Sequence, residues 1–136
     1  MQVSTAQTIN ISIVDDHQLF RKGLSNLLDI SGYSNVRQYA SGGDFITELD
    51  LYPKPDLVFV DVNMPVMNGY ETTAWIREHH PSIIVLAMCT EYHKDVADKV
   101  MRGGANGFIL KTIEPNELDR AIRTVMTTGR YRPGHI

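Results

Sequence analysis

The stretch Leu57–Pro65, LVFVDVNMP, decides the fold of this 136-residue chain. In the segment LVFVDV every side chain is apolar except that of Asp61. A short run that is apolar at successive positions is typical of a parallel strand covered on both faces. Pro65 has no backbone N–H and cannot continue such a strand. The pattern therefore predicts a buried strand over Leu57–Val62 with one carboxylate near its carboxyl end.

Four other short segments have strand character. NVRQYA (35–40) alternates between apolar and polar residues, which favours an edge strand. The other three are rich in apolar β-formers, as expected of buried parallel strands: INISIV (9–14), IIVLAMC (83–89) and GFILK (107–111).

Helical patterns lie between and after these strands. The first is predicted to begin after Asp16 as its N-cap and to end at Gly32. Three others, over 42–52, 69–80 and around 96–101, end at prolines or glycines, and the last begins at Pro115. Strand and helix alternate along the whole chain. This order predicts an α/β fold, a doubly wound five-stranded parallel sheet with five helices on its two faces.

The composition excludes several classes of protein. With 43% hydrophobic residues, 21% charged residues and a net charge of −3, the chain is typical of one soluble globular domain without broad attraction to nucleic acid or membranes. A lone cysteine, Cys89, favours a reducing compartment. We see no signal peptide and no run long enough to span a bilayer, so we expect a cytoplasmic protein. Helical periodicity stops near residue 128, and residues 129–136 are predicted to begin a linker.

Charged residues cluster where the predicted strands end. Asp15 and Asp16 follow the first strand, Asp61 ends the third and Lys111 ends the fifth. In doubly wound sheets, ligands bind beyond the carboxyl ends of the strands. Carboxylates brought together there repel one another unless a cation lies among them, and oxygen ligands of this kind favour Mg²⁺. The joint pattern therefore predicts a magnesium site with a lysine beside it.

Two of these features also have purely structural interpretations. An Asp pair before a helix commonly serves as an N-cap with a favourable dipole interaction. The segment GGANG (103–107) has the glycines of a phosphate-binding loop but not the spacing, and we interpret it as the end of the fourth helix.

Three motifs together resemble those of one family, the receiver domains of two-component response regulators. They are IVDDHQLFRKGL (13–24), VDVNMPVMNG (60–69) and GGANGFILK (103–111). The first is most similar to the NarL/FixJ-type subfamily, whose receivers precede a LuxR-type helix-turn-helix domain. The resemblance implies a flavodoxin-like fold with strand order 2-1-3-4-5, a receiver over residues 1–128 and a linker from 129 to an output domain that is absent here.

The resemblance also implies a role for each charged residue. Asp61 would accept a phosphoryl group from the phosphohistidine of a sensor histidine kinase or a phosphotransfer protein. Asp16, Asp61 and the backbone carbonyl of Asn63 would bind Mg²⁺ directly, and Asp15 would bind it through water. Lys111 would pair with the phosphoryl oxygens, while Met64, Pro65 and Gly69 would shape the adjacent loop. Such a domain catalyses only its own phosphorylation and dephosphorylation.

The switch positions of the family match only in part. The hydroxyl position, counted 22 residues before Lys111 and eight after Pro81, is Cys89. A thiol donates a weaker hydrogen bond than a hydroxyl, which puts in doubt how the fourth loop responds to phosphorylation. Thr90 is adjacent, but alternation along the strand would aim it elsewhere. The aromatic switch position is matched by Phe108.

Three further positions bear on the chemistry. Asn63 and Glu91 resemble a pair associated with rapid loss of the phosphoryl group in the chemotaxis receiver, which predicts a short-lived phosphorylated Asp61. Thr112 stands where many receivers have a proline in a cis bond. A cis bond here would cost about 2.5–4 kcal/mol, so we expect either trans geometry or strain.

Two alternatives belong to other functional classes. An aspartyl-nucleophile phosphohydrolase would require a general acid at position 63, which Asn63 cannot supply. A degenerate receiver would bind partners without phosphorylation. The resemblance implies DNA binding only through the absent output domain. The mixed charges of the last two helices suit a homodimer face formed on phosphorylation or a solvated surface.

Overall fold

The computed structural model describes residues 8–134. Five parallel strands form one sheet in the order β2-β1-β3-β4-β5. The strands are β1 (Ile11–Val14), β2 (Val36–Tyr39), β3 (Leu57–Asp61), β4 (Ile84–Cys89) and β5 (Gly107–Leu110). The helices are α1 (Gln18–Ile30), α2 (Gly42–Glu48), α3 (Gly69–His79), α4 (Lys94–Arg102) and α5 (Pro115–Thr128), with a 3-10 turn over Leu49–Leu51. The predicted fold class and strand order are confirmed.

Two apolar layers cover the sheet. Helices α1 and α5 bury Leu28 and Ile122 against one face, together with Phe59 of β3. Helices α2, α3 and α4 bury apolar residues against the other face, where Val60 lies. Because β3 contributes side chains to both layers, it is apolar at successive positions, as its sequence predicted.

The register of the strands brings their carboxyl ends to one edge. Val14 of β1 pairs with Val60 of β3, so Asp15 and Asp61 both directly follow paired residues. On the other side, β3 and β4 pair up to Asp61 and Met88. The side chains at the carboxyl ends of β1, β3 and β4 therefore lie close together at this edge.

The predicted N-cap of α1 is wrong, and the helix predicted over 42–52 is α-helical only to Glu48. The N-cap of α1 is His17 and not Asp16, and its side chain makes no capping hydrogen bond. Asp16 lies one residue earlier in the β1–α1 loop, exposed to solvent. Its carboxylate is consequently not used to cap α1. The prediction for GGANG is confirmed, since Gly103 caps α4 and Gly104 has a positive φ of 113°.

Helix α3 begins very close to β3. Asn68 and Glu71 form a reciprocal capping box at its start. A Cβ added to Gly69 would collide with the carbonyl oxygen of Asp61. Glycine at this position therefore lets the helix begin directly beside the carboxyl end of β3.

The chain after α5 packs back onto the sheet. Gly129 ends α5 in the left-handed conformation, with φ 77°. Tyr131 then forms a parallel bridge with Gly107 of β5, and its backbone N–H donates to the carbonyl of Asn106 at 3.1 Å. Its side chain is only 6% exposed and packs with the core of the α1/α5 layer. We call residues 129–132 the C-terminal strap.

Candidate functional site

Three carboxylates converge at the carboxyl edge of the sheet. Asp15, Asp16 and Asp61 each offer an oxygen, and these atoms lie within 4.8 Å of one another. Asp15 is fully buried and Asp61 nearly so, whereas Asp16 is exposed. The β1–α1 loop supplies Asp15 and Asp16, and the last residue of β3 supplies Asp61. The cluster predicted from the strand ends is therefore present.

A lysine completes the cluster. The Nζ atom of Lys111 lies 2.7 Å from Oδ2 of Asp15 and 3.5 Å from Oδ2 of Asp61. The backbone N–H of Lys111 donates to the carbonyl of Cys89 at 2.8 Å, which fixes the residue beyond the end of β5. Among residues 8–134 the structure has no cis peptide bond, so the bond between Lys111 and Thr112 is trans.

The environment of Asp61 opposes its ionisation. Burial raises the pKa of Asp61 to about 6, and the nearby Asp15 carboxylate adds to the increase, while Lys111 and the backbone N–H of Asn63 act in the opposite direction. That N–H donates to Oδ1 of Asp61 at 3.3 Å. Asp61 is thus a carboxylate in an unfavourable, crowded position, a state that a nearby cation would relieve.

These residues fit a magnesium ion. The side-chain atoms of Asp15, Asp16 and Asp61 that could coordinate a metal ion are all carboxylate oxygens, the ligands that Mg²⁺ prefers. Two acids that are largely buried, with a single lysine between them, leave negative charge uncompensated at the site. Asp16 is exposed beside them, so one ligand faces solvent, as expected for an ion that retains several waters.

Cys89 is the last residue of β4, and Thr90 follows it in the β4–α4 loop. The Cys89 side chain is 4% exposed, whereas Thr90 is exposed. Burial raises the pKa of the Cys89 thiol to about 11, and the Asp61 carboxylate contributes to the shift. Cys89 is therefore a neutral thiol at physiological pH, close enough to Asp61 to sense its charge.

Phe108 lies fully buried on β5, in the same core layer as Cys89. The Tyr92 ring stacks on it with the ring centroids 6.0 Å apart. The guanidinium carbon of Arg132 lies 5.5 Å from the centroid of the Phe108 ring. The aromatic switch position is thus enclosed by the β4–α4 loop on one side and by the C-terminal strap on another.

Asn63 and Glu91 line one open hollow together with Cys89. Both are exposed, and Glu91 Oε2 lies 3.6 Å from Nε2 of His93. The predicted lifetime pair therefore lines the same hollow as the Cys89 thiol.

The sequence interpretation missed one residue of the site. Nη1 of Arg21 donates a hydrogen bond to the carbonyl oxygen of Asp15 at 2.6 Å. Arg21 belongs to the motif IVDDHQLFRKGL, but we predicted no role for it. Its partner is a backbone atom, which leaves no paired side chain for the sequence to reveal.

A flavodoxin-like sheet with three carboxylates and a lysine at its carboxyl edge defines a receiver domain. Residues 11–123 match the model of the response regulator receiver domain, and the chain belongs to this family.

Curated relatives narrow the subfamily. The chain is 32% identical over 123 residues to the transcriptional regulatory protein DegU of Brevibacillus brevis, covering 90% of this chain and 52% of that protein. It is 32% identical over 120 residues to the nitrate/nitrite response regulator protein NarL of Escherichia coli K12, covering 88% of this chain and 56% of that protein. The chain thus spans about half the length of these relatives. These similarities support the NarL/FixJ-type subfamily.

Solved structures agree with this assignment. A LuxR-family two-component response regulator from Aurantimonas superposes with a TM-score of 0.83 at 30% identity, covering 93% of this chain and 89% of that one. The receiver domain of the putative response regulator NarL from Mycobacterium tuberculosis gives a TM-score of 0.78 at 25% identity, covering 88% of this chain and 97% of that one. Within residues 8–134, no helix has the length and apolar character needed to cross a membrane.

Proposed function

We propose that this domain accepts a phosphoryl group on Asp61 from the phosphohistidine of a sensor histidine kinase or a phosphotransfer protein. The observation that carries the proposal is the convergence of Asp61, Asp15, Asp16 and Lys111 at one sheet edge. An oxygen of the Asp61 carboxylate attacks phosphorus as the phosphorus–nitrogen bond breaks. The electron pair of that bond returns to the imidazole, and Asp61 becomes an acyl phosphate.

The surrounding residues provide positioning and charge neutralisation, which phosphoryl transfer chiefly requires. The Asn63 backbone N–H already orients Asp61 through Oδ1. Lys111 lies closest to Asp15 but within 3.5 Å of Asp61, so its ammonium group can move toward phosphoryl oxygens over a short distance.

Asp16, Asp61 and the Asn63 carbonyl would hold Mg²⁺, with Asp15 acting through water. When bound, the ion supplies charge neutralisation for the carboxylates and the incoming phosphoryl group. This role agrees with the crowded acids and the raised pKa of Asp61.

Incubation with Mg²⁺ and acetyl phosphate followed by intact mass measurement tests the proposal. We expect a stoichiometric adduct that hydroxylamine removes and that Asp61→Asn abolishes. Asp56→Asn is a matched control, because Asp56 precedes the opposite end of the same strand. Absence of the adduct in the wild type would contradict phosphorylation and favour a degenerate receiver. Multiple turnover of phosphomonoesters would instead favour a phosphohydrolase, and thus contradict a domain that acts only on itself.

We further propose that Asn63 and Glu91 shorten the lifetime of the acyl phosphate by orienting an attacking water. Their position in the lining of one hollow supports this. The phosphate-release rate of the wild type should exceed that of Asn63→Ala and Glu91→Ala. Equal or faster release from both variants would contradict the role.

In a longer parent protein, phosphorylation would control an output domain after the linker, which we propose binds DNA. Its similarity to DegU, a transcriptional regulatory protein, and to NarL, a nitrate/nitrite response regulator protein, supports this. Pairing of two copies on phosphorylation remains a prediction. The exposed ion pairs of α4 and α5, such as Lys94 with Asp98, are equally suited to a solvated surface.

A further inference from the structure

Arg21 lies in the first part of α1 and turns back toward the acidic cluster. Its backbone N–H donates to the carbonyl of His17, as part of the helix. Its side chain reaches the β1–α1 loop, where Nη1 donates to the carbonyl oxygen of Asp15 at 2.6 Å. A charged donor at this distance makes a strong hydrogen bond.

The bonded carbonyl belongs to the peptide group that joins Asp15 to Asp16. The Asp15 side chain is fixed independently, because Oδ1 accepts the N–H of His17 at 2.8 Å and Oδ2 faces Lys111. The Asp16 side chain, by contrast, is exposed and makes no hydrogen bond within residues 8–134. The direction of the Asp16 carboxylate therefore depends on how its backbone is held.

A second N–H donor of the Arg21 side chain is unsatisfied within residues 8–134. Nε of Arg21 is buried and has no hydrogen-bond partner among the described residues. A buried donor without a partner raises the free energy of the folded state, so the Arg21 conformation that reaches Asp15 carries an unfavourable contribution. The hydrogen bond from Nη1 to the Asp15 carbonyl oxygen is the favourable interaction of this conformation.

We propose that Arg21 is a positioning residue for the cation site: it clamps the Asp15–Asp16 peptide group so that the Asp16 carboxylate faces Asp61. Arg21 acts on the backbone and leaves the carboxylate oxygens free for a metal ion. The inference rests on the proposed function, in which Asp16 is a direct ligand.

Positioning and simple electrostatics predict opposite effects of removing Arg21. Loss of a positive charge near the acids would by itself strengthen the binding of a cation. Loss of the clamp would weaken it, because Asp16 then samples directions away from the site. The sign of the change in Mg²⁺ affinity therefore separates the two.

Calorimetric titration of the intact chain with Mg²⁺ alone is the test. We expect Arg21→Ala to raise the dissociation constant about 10-fold, as is typical for residues that orient metal ligands. Lys22→Ala is the matched control, since it removes the same charge from the neighbouring, exposed position of α1 and should leave the constant unchanged or lower it. An unchanged or lowered constant for Arg21→Ala would overturn the proposal.

Thermal unfolding of the same variants separates a purely structural role, which would shift the unfolding temperature without changing the dissociation constant. If Arg21→Ala does not fold, Arg21→Met decides the question. It keeps an unbranched side chain but has no N–H donor, and a dissociation constant equal to or below that of the wild type would contradict the clamp. Absence of Mg²⁺ binding to the wild type would overturn the proposed function itself. Equal binding of Mg²⁺ by the wild type and Arg21→Ala would overturn only the positioning role of Arg21.

Discussion

The ammonium group of Lys111 lies 2.7 Å from Oδ2 of Asp15, closer than the 3.5 Å that separates it from Oδ2 of Asp61. The lysine therefore compensates the fully buried Asp15 more strongly than Asp61. Asp61, the proposed nucleophile, is left only partly compensated. Stability and function should consequently oppose each other at this site.

Replacement of Lys111 by alanine should show how much the lysine stabilises the buried carboxylates. Two buried carboxylates would then share no cation, and we expect Lys111→Ala to lower the free energy of unfolding by about 3 kcal/mol without Mg²⁺. Urea unfolding with and without Mg²⁺ measures the effect, and the ion should recover part of the loss. Lys94→Ala, which removes an exposed ion pair with Asp98, should leave stability essentially unchanged. Similar stability for both variants would contradict a buried cluster.

The raised pKa of Asp61 predicts a pH-dependent stability. Its pKa in the folded state is about 6, above the ordinary value of 3.8, so the folded state holds the proton more tightly than the unfolded state. The stability from this group is therefore full below the ordinary pKa and is lost as pH rises through the folded pKa. Asp61→Asn removes that loss and should stabilise the metal-free protein near neutral pH by about 1 kcal/mol.

Urea unfolding at several pH values checks this effect of Asp61→Asn. The advantage of the variant over the wild type should shrink as the pH falls through about 6 and disappear below 3.8, where Asp61 is protonated in both the folded and the unfolded state. Mg²⁺ should also reduce it, since the ion binds the wild-type carboxylate. A variant that is less stable than the wild type at neutral pH would show that Asp61 is well compensated.

The fold was predictable because its signals are local. Buried parallel strands such as Leu57–Asp61 are apolar at successive positions, and the helices end at glycines or prolines close in sequence. Tyr131 was not predicted to join the core. It follows Gly129 without any periodic pattern, and its place depends on Gly107, where a Cβ would collide with the Tyr131 backbone. Such long-range fit has no local signature.

The residues of the site likewise differ in how far the sequence predicted them. The convergence of Asp15, Asp61 and Lys111 followed from parallel strands that end at one edge. The capping role predicted for Asp16 was wrong, because α1 begins one residue later, at a position where His17 is the N-cap. Arg21 was missed since it contacts a carbonyl. Side-chain clusters at strand ends are thus visible in sequence, whereas contacts to backbone atoms are not.

Val66 carries strain in the loop after β3. It is fully exposed and has a φ of 64°, the left-handed region that β-branched residues avoid. Val66→Asn should stabilise the protein by about 1 kcal/mol, because Asn tolerates this conformation. Val66→Thr is the control, since it removes apolar surface but keeps the branched Cβ. Equal gains from both variants in urea unfolding would attribute the effect to polarity and contradict strain.

Cys89 should limit the response to phosphorylation. A hydroxyl donates a stronger hydrogen bond than the buried thiol, so Cys89→Ser should hold the β4–α4 loop more firmly when the acyl phosphate mimic beryllofluoride is bound. Hydrogen exchange of residues 90–93 with and without beryllofluoride measures this. We expect a larger decrease in exchange for Cys89→Ser than for the wild type or Cys89→Ala. A wild-type decrease as large as that of Cys89→Ser would show that the thiol suffices.

The C-terminal strap should contribute to the stability of the domain. Tyr131 buries its ring among core residues of α5, and its hydroxyl donates to Glu117. Tyr131→Ala would leave a cavity in the α1/α5 layer of the core and should cost about 2–3 kcal/mol in urea unfolding. Arg130→Ala alters the adjacent exposed position and should cost far less.

Tyr131→Phe separates the ring from the hydroxyl and should lose only about 1 kcal/mol, the value of one hydrogen bond. Truncation after Thr128 should cost at least as much as Tyr131→Ala, because it removes the bridge to Gly107 together with the buried ring. If Tyr131→Ala is no less stable than Arg130→Ala, the strap is only loosely attached and the domain boundary lies near residue 128. The expected loss of stability in Tyr131→Ala would instead show that the folded domain extends to Tyr131. Any linker would then begin beyond that residue, next to the Arg132 guanidinium that faces the Phe108 ring.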